Sequence, residues 1–152
     1  MILKEKEKTV IQDLQTQEKT CIEKYSKYAQ QAKDPELKKL FETLSSKEQE
    51  HYNSLQQVLD GTIPKVDCND CDGANYNPTP TYDAMSESED KKSDCFLATD
   101  CIGTEKLVSS EYNTDVFVFG NSKIRKLLAD IQIEEQNHGE MLWKYKTANG
   151  MA

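Results

Sequence analysis

The chain of 152 residues reads as all-α, a four-helix bundle built from two tandem helical hairpins with a long crossover linker. Three observations predict this. Four stretches carry apolar residues at helical spacing. The phrase Glu48-Gln49-Glu50-His51 returns 87 residues later as Glu135-Gln136-Asn137-His138, and the two phrases hold both histidines of the chain. Between the halves lies a segment punctuated by Gly61, Pro64, Gly73, Pro78 and Pro80, which no helix crosses.

The first helix spans about residues 3–32, free of Gly and Pro and rich in Lys, Glu and Gln. Its inward stripe is Leu3, Val10, Leu14, Glu18, Cys21, Tyr25, Tyr28 and Ala32, with Glu18 in the middle. Asp34-Pro35-Glu36 supplies an N-cap, a proline at the first helical position and an early acid, and so starts the second helix. That helix runs to about Leu59 and ends at Gly61, with Leu37, Leu40, Phe41, Leu44, Glu48, His51, Leu55 and Val58 facing inward. The linker takes about residues 60–93. A third helix from about Asp94 to Phe119 carries Cys101, Glu105, Val108 and Tyr112 on one face. Gly120-Asn121-Ser122 is a stop and a new cap. The fourth helix, to about Thr147, shows Ile124, Leu127, Leu128, Ile131, Glu135, His138, Leu142 and Tyr145, and Asn149-Gly150 closes it. The bounds are hairpins at about 3–59 and 94–147 within one domain, 1–152.

The hairpins are two copies of one unit. Ungapped pairing of residues 9–58 with 96–145 matches Asp13 with Asp100, Tyr25 with Tyr112, Leu40 with Leu127, Leu55 with Leu142, and three pairs of polar residues on the stripes. Those pairs are Glu18 with Glu105, Glu48 with Glu135, and His51 with His138. Glu18 and Glu48 each lie about 21 Å from the turn that joins their helices, at 1.5 Å per residue. Glu105 and Glu135 repeat this around Asn121, so all four acids belong near mid-height. Glu and His at i and i+3 share a helix face. One Glu from each of two helices and Glu-x-x-His from each of the others is the donor set of a di-metal carboxylate site.

Charge favours the same reading. An unpartnered carboxylate in an apolar interior costs several kcal/mol, and the stripes carry no Lys or Arg to offset four of them. Two divalent cations would. The expected ligands are Glu18, Glu48, His51, Glu105, Glu135 and His138, holding two divalent ions, iron or manganese rather than zinc. Tyr25 and Tyr112, seven residues after Glu18 and Glu105, are either core aromatics or hydrogen-bond donors to a ligand carboxylate. No catalytic residue and no organic cofactor is indicated. Glu23, Glu50, Glu111, Glu134 and Glu140 fall off the stripes and read as solvated. Cys68-x-x-Cys71 lacks the second pair a closed zinc site needs and reads as a free or oxidised pair or a cross-link between chains. Cys21 and Cys101 read as small core residues; Cys95 has no assignment.

The net charge of −8 argues against nucleic acid or an anionic membrane as partner. The amino terminus turns charged after three residues, without the apolar core of a signal peptide, and no run has the length of a membrane span. Synthesis in the cytoplasm is expected.

Leu37-Lys38-Lys39-Leu40-Phe41 leading to Lys47-Glu48-Gln49-Glu50-His51, then Thr104-Glu105-Lys106 and Ile133-Glu134-Glu135-Gln136-Asn137-His138-Gly139-Glu140, resemble the spore coat protein F family of spore-forming Firmicutes. That family is a branch of the ferritin-like superfamily. The ending Tyr145-Lys146-Thr147-Ala148-Asn149-Gly150-Met151 resembles its clostridial members. The resemblance implies a ferritin-like bundle made in the mother cell and deposited in the spore coat, with other coat proteins or further copies of itself as partners. It implies no established enzymatic activity. In ligand pattern alone the chain also resembles rubrerythrins and manganese catalases. Two functions follow as expectations: a coat component carrying a di-metal site, or a di-metal redox enzyme (peroxidase, catalase-like or ferroxidase) that protects against peroxide.

Overall fold

Local capping chemistry sets where each helix begins. The computed structural model describes residues 1–66 and 71–152. Helix α1 covers Glu5–Gln31, and the Glu7 carboxylate accepts the Lys4 backbone N–H at 2.8 Å. Helix α2 is Pro35–Leu59, capped by Asp34, whose carboxylate accepts the Glu36 N–H at 3.0 Å. A short helix α3, Asp72–Asn75, lies in the connection. Helix α4 is Glu89–Asp115, followed by a 3-10 turn at Val116–Val118. Helix α5 is Ser122–Ala148, capped by Asn121 through the Lys123 N–H at 2.8 Å. The architecture is the all-α pair of hairpins that the sequence predicts, arranged as a ferritin-like four-helix bundle.

The inward stripes form two apolar groups. One gathers Tyr25, Ala29, Leu37, Phe41, Leu44, Leu97, Cys101, Leu142 and Tyr145. The other gathers Ile11, Leu14, Leu55, Val58, Val108, Tyr112, Ile124 and Leu128. The order in which each helix crosses the two groups gives its direction: α2 and α4 run one way, α1 and α5 the other. Neighbours α1–α2, α4–α5, α1–α4 and α2–α5 are therefore all antiparallel. Because α2 and α4 are parallel, the connection must travel the length of the bundle.

That connection is fastened along the α2–α5 side. Lys47 pairs with Asp72 at 3.7 Å, and the Gly73 N–H donates to Asn137 at 2.8 Å. Lys144 donates to the Gly73 carbonyl at 2.6 Å. A Cβ on Gly73 would stand 2.7 Å from the Asn137 side-chain oxygen, so a larger residue would displace the Asn137 and Glu140 side chains that face α3. Further on, the backbone N–H groups of Thr81 and Tyr82 both donate to Asn149 at 2.9 Å. Asp94, fully buried, then ties three segments together. It accepts the N–H groups of Lys33 and Asp34 at 2.9 Å and the Tyr82 hydroxyl at 2.6 Å.

Two details differ from the sequence reading. Helix α4 begins at Glu89 rather than near Asp94, because Ser88 caps it through the Lys91 N–H at 3.1 Å. The buried Lys91 ammonium also donates to the carbonyls of Asp83 at 3.0 Å and Ser86 at 2.8 Å, which ties the preceding acidic run to the helix. On α1, Ile11 and Ala29 are buried while Val10 and Tyr28 are only half-buried. The buried positions Ile11, Leu14, Glu18, Cys21, Tyr25 and Ala29 step by three and four along the 3.6-residue repeat, while Leu3 precedes the helix and sets no register for it. Among the described residues no helix is long and apolar enough to cross a membrane.

Candidate metal centre

Glu18, Glu48, His51, Glu105, Glu135 and His138 lie between the two apolar groups, and each is at most 4 % exposed. Each helix brings its residue to this level by its place on the stripe: Glu18 follows Leu14, Glu48 follows Leu44, Glu105 follows Cys101 and Glu135 follows Ile131. The i, i+3 spacing turns both imidazoles toward the carboxylates.

The arrangement is nearly two-fold. His51 Nδ1 lies 3.0 Å from Glu48 Oε2, 3.0 Å from Glu135 Oε1 and 3.7 Å from Glu18 Oε1. His138 Nδ1 lies 3.2 Å from Glu48 Oε1, 3.5 Å from Glu105 Oε1 and 3.6 Å from Glu135 Oε2. Glu48 and Glu135 thus offer one oxygen to each side, while Glu18 serves one histidine and Glu105 the other. The rings stack with centroids 5.7 Å apart and planes 15° from parallel. In each of the two groups, Glu18-Glu48-His51-Glu135 and Glu48-Glu105-Glu135-His138, the donor atoms lie within 4.8 Å of one another.

The electrostatics without metal are unfavourable. Burial, then the neighbouring Glu48 carboxylate, push the Glu18 carboxyl up to about 8. Burial, then Glu105 and Glu48, push Glu135 well above the usual carboxylate range. Burial alone would raise Glu48 too, but His138 and His51 hold it well below. Both imidazoles resist the downward pull of burial. Glu134, Glu135, Glu18 and Glu48 raise His51; Glu105 and Glu48 lead in raising His138. Among the described residues, four buried carboxylate oxygens, Glu18 Oε2, Glu105 Oε2 and both of Glu135, have no hydrogen-bond partner. Among the described residues the ion pairs to these four acids come from histidine alone. Oxygen and imidazole donors with unpaired lone pairs and four formal negative charges suit divalent cations. The two groups are positioned to chelate such ions.

Partners outside the six hold them in place. The Tyr25 hydroxyl on α1 donates to Glu105 Oε1 on α4, and the Tyr112 hydroxyl on α4 donates to Glu18 Oε1 on α1. Burial, then Glu105 for Tyr25 and Glu18 for Tyr112, raise both phenols well above their ordinary range, so they remain donors. Glu134 corrects the sequence reading. It is not merely solvated: its Oε2 lies 2.8 Å from His51 Nε2. The repeat could not reveal this, because Lys47 stands at the matching place in the first half. Cys21 and Cys101 are buried core residues, Cys95 is half-buried and Cys71 exposed. Cys68, and with it the reading of the Cys68-x-x-Cys71 pair, lies outside the described residues.

Comparison with known families divides the chain as its own repeat does. Residues 93–152, containing α5 and most of α4, match the Coat F domain. Residues 2–59, which hold α1 and α2, match the rubrerythrin family. The stretch similar to Coat F contains Glu105, Glu135 and His138, and the stretch similar to rubrerythrin contains Glu18, Glu48 and His51. No curated protein and no solved structure matches the chain.

Proposed function

We propose that the six residues bind two iron or manganese ions and that the protein is a di-metal redox enzyme of the rubrerythrin kind that removes peroxide. One observation carries this reading: Glu48 and Glu135 each face both histidines, so that two four-residue groups share two carboxylates. In this reading Glu18, Glu48, His51 and Glu135 would hold one ion, and Glu48, Glu105, Glu135 and His138 would hold the other. Bound there, such ions would supply Lewis acidity and changes of oxidation state. The chain's own residues supply orientation. A proton on His51 Nε2, bonded to Glu134, leaves the Nδ1 lone pair facing the carboxylates. The Tyr25 and Tyr112 phenols fix Glu105 and Glu18, and apolar groups pack on either side of this level along the bundle.

Elemental analysis after purification without chelator should give about two ions per chain, and the double variant Glu48→Ala/Glu135→Ala should give none. Peroxide consumption by the iron- or manganese-loaded protein should exceed that of the double variant by orders of magnitude. A folded wild type that takes up neither ion would end this reading. The Coat F half supports a second one, in which the protein is laid down in the spore coat after synthesis in the mother cell, beside other coat proteins or copies of itself. Immunogold labelling of sectioned spores distinguishes coat from core.

A further inference from the structure

We propose that a small uncharged oxidant reaches the centre through the groove between α4 and α5. This rests on the metal-centre reading and adds the route. The α4–α5 groove is a cavity of about 580 Å³ lined at its buried end by Glu105 and Glu135, with Ile102, Gly139 and the exposed Trp143 along its walls. The groove between α1 and α2 holds a cavity of about 570 Å³ toward Ala29 and Lys38, which is not lined by Glu18 or Glu48, and, at the positions that the 87-residue repeat relates to the α4–α5 cavity, a smaller one of about 240 Å³. The smaller cavity is lined by Lys19, Ile22, Glu23, Gln49 and Tyr52, and it reaches neither Glu18 nor Glu48.

Two paired lining positions carry less bulk on the α4–α5 side: Ser109 stands where α1 has Ile22, and Gly139 where α2 has Tyr52. The residue after each histidine lines its groove: Tyr52 follows His51, and Gly139 follows His138. A phenol occupies the α1–α2 side where the α4–α5 side has no side chain. Glycine is a poor helix former, and Gly139 sits well inside α5. Neither backbone nor packing asks for it. Its φ is not positive, and a Cβ built there would meet nothing within 4 Å. What its absence of a side chain provides is space above Glu105 and Glu135. Two smaller clefts on the α2–α5 side touch His51 and His138, but not the four carboxylates of the centre. The mostly apolar walls and the acidic floor favour a small neutral molecule over an anion. Hydrogen peroxide has that character.

Nitric oxide, a small neutral molecule that colours ferrous iron on binding, probes the route without turnover. The full-length protein is loaded anaerobically with Fe(II), its iron counted, and its reaction with nitric oxide followed by stopped-flow absorbance. Gly139→Phe should keep the wild-type iron content and bind nitric oxide at least tenfold more slowly. Ser109→Trp, filling the groove from α4, should do the same, and adding Tyr52→Gly to either should restore part of the rate by opening the other side. A wild-type rate in either folded, iron-loaded variant overturns the route and points to access past the histidines on the α2–α5 side. A wild type that takes up no iron overturns the metal reading itself, before any gas is added.

Discussion

Tyr25 and Tyr112 show how much a single hydroxyl can carry in a buried acidic site. Each phenol supplies a hydrogen bond to one oxygen of Glu105 or Glu18, leaving the other oxygen free for a cation. Replacing either by Phe keeps the ring in its apolar group and removes only that donor. Outer partners of this kind are typically worth about 10–100-fold in metal affinity. Tyr25→Phe and Tyr112→Phe should each weaken Mn(II) binding by about that factor in competition with a fluorescent chelator, while far-ultraviolet circular dichroism stays unchanged. Equal affinity in both variants would reduce the tyrosines to packing. The residue scale is also where the sequence was least legible. Glu18 and Glu105 could be placed by register with their stripes, but the exchange of phenols between helices depends on how the hairpins face each other. Glu134 had no periodic signal, being one step off the stripe.

At the scale of helices, the glycines sort by what surrounds them. Gly61 and Gly150 end α2 and α5 with φ of +93° and +62°, a region costly to any residue with a Cβ. At Gly150 that Cβ would also stand 2.6 Å from the Ala84 carbonyl oxygen. Gly103, inside α4, meets nothing within 4 Å. Gly103→Ala should therefore stabilise the protein by about 1 kcal/mol, the difference in helix propensity, and Gly150→Ala should destabilise it. Urea titrations give both signs, and a destabilising Gly103→Ala would mean that α4 needs the bare backbone there. Helix starts with a strong cap, such as Asp34-Pro35 and Asn121-Ser122, were legible to the residue. The start of α4 was not. Its acidic Ser-Glu run resembles a solvated linker, and only the buried Lys91 ammonium, bonded to carbonyls of the connection, makes it part of the bundle.

For the whole molecule, the acidic level makes stability depend on pH and metal together. Without metal, Glu18 has its carboxyl raised from 4.5 to about 8. A group raised on folding contributes stability that is complete below its unfolded value and is lost as pH rises through the folded value. The raised histidines act in the same direction, and Glu48, held low, acts only at acidic pH. Metal-free protein should thus melt at a lower temperature at pH 8.5 than at pH 5.5. Bound cations remove that loss by keeping the carboxylates ionised, so the gap in Tm between loaded and chelated protein should widen with pH. Calorimetry with Mn(II) and with chelator measures it, and a chelated protein whose Tm rises over this range would contradict the charge argument. The architecture was legible because four apolar stripes gave the helices and the long linker suited a crossover between two hairpins. The path of that linker along the α2–α5 side rests on single contacts, such as Gly73 with Asn137, that no pattern announces.

The exchange of phenols across the bundle has one more consequence. The acid that α1 offers is oriented by a tyrosine of α4, and the acid that α4 offers by a tyrosine of α1. Neither hairpin can complete half of the centre alone. The centre is in this sense a contact surface between two partners that share one chain. The segment joining them then acts as a tether, holding each partner at high local concentration beside the other.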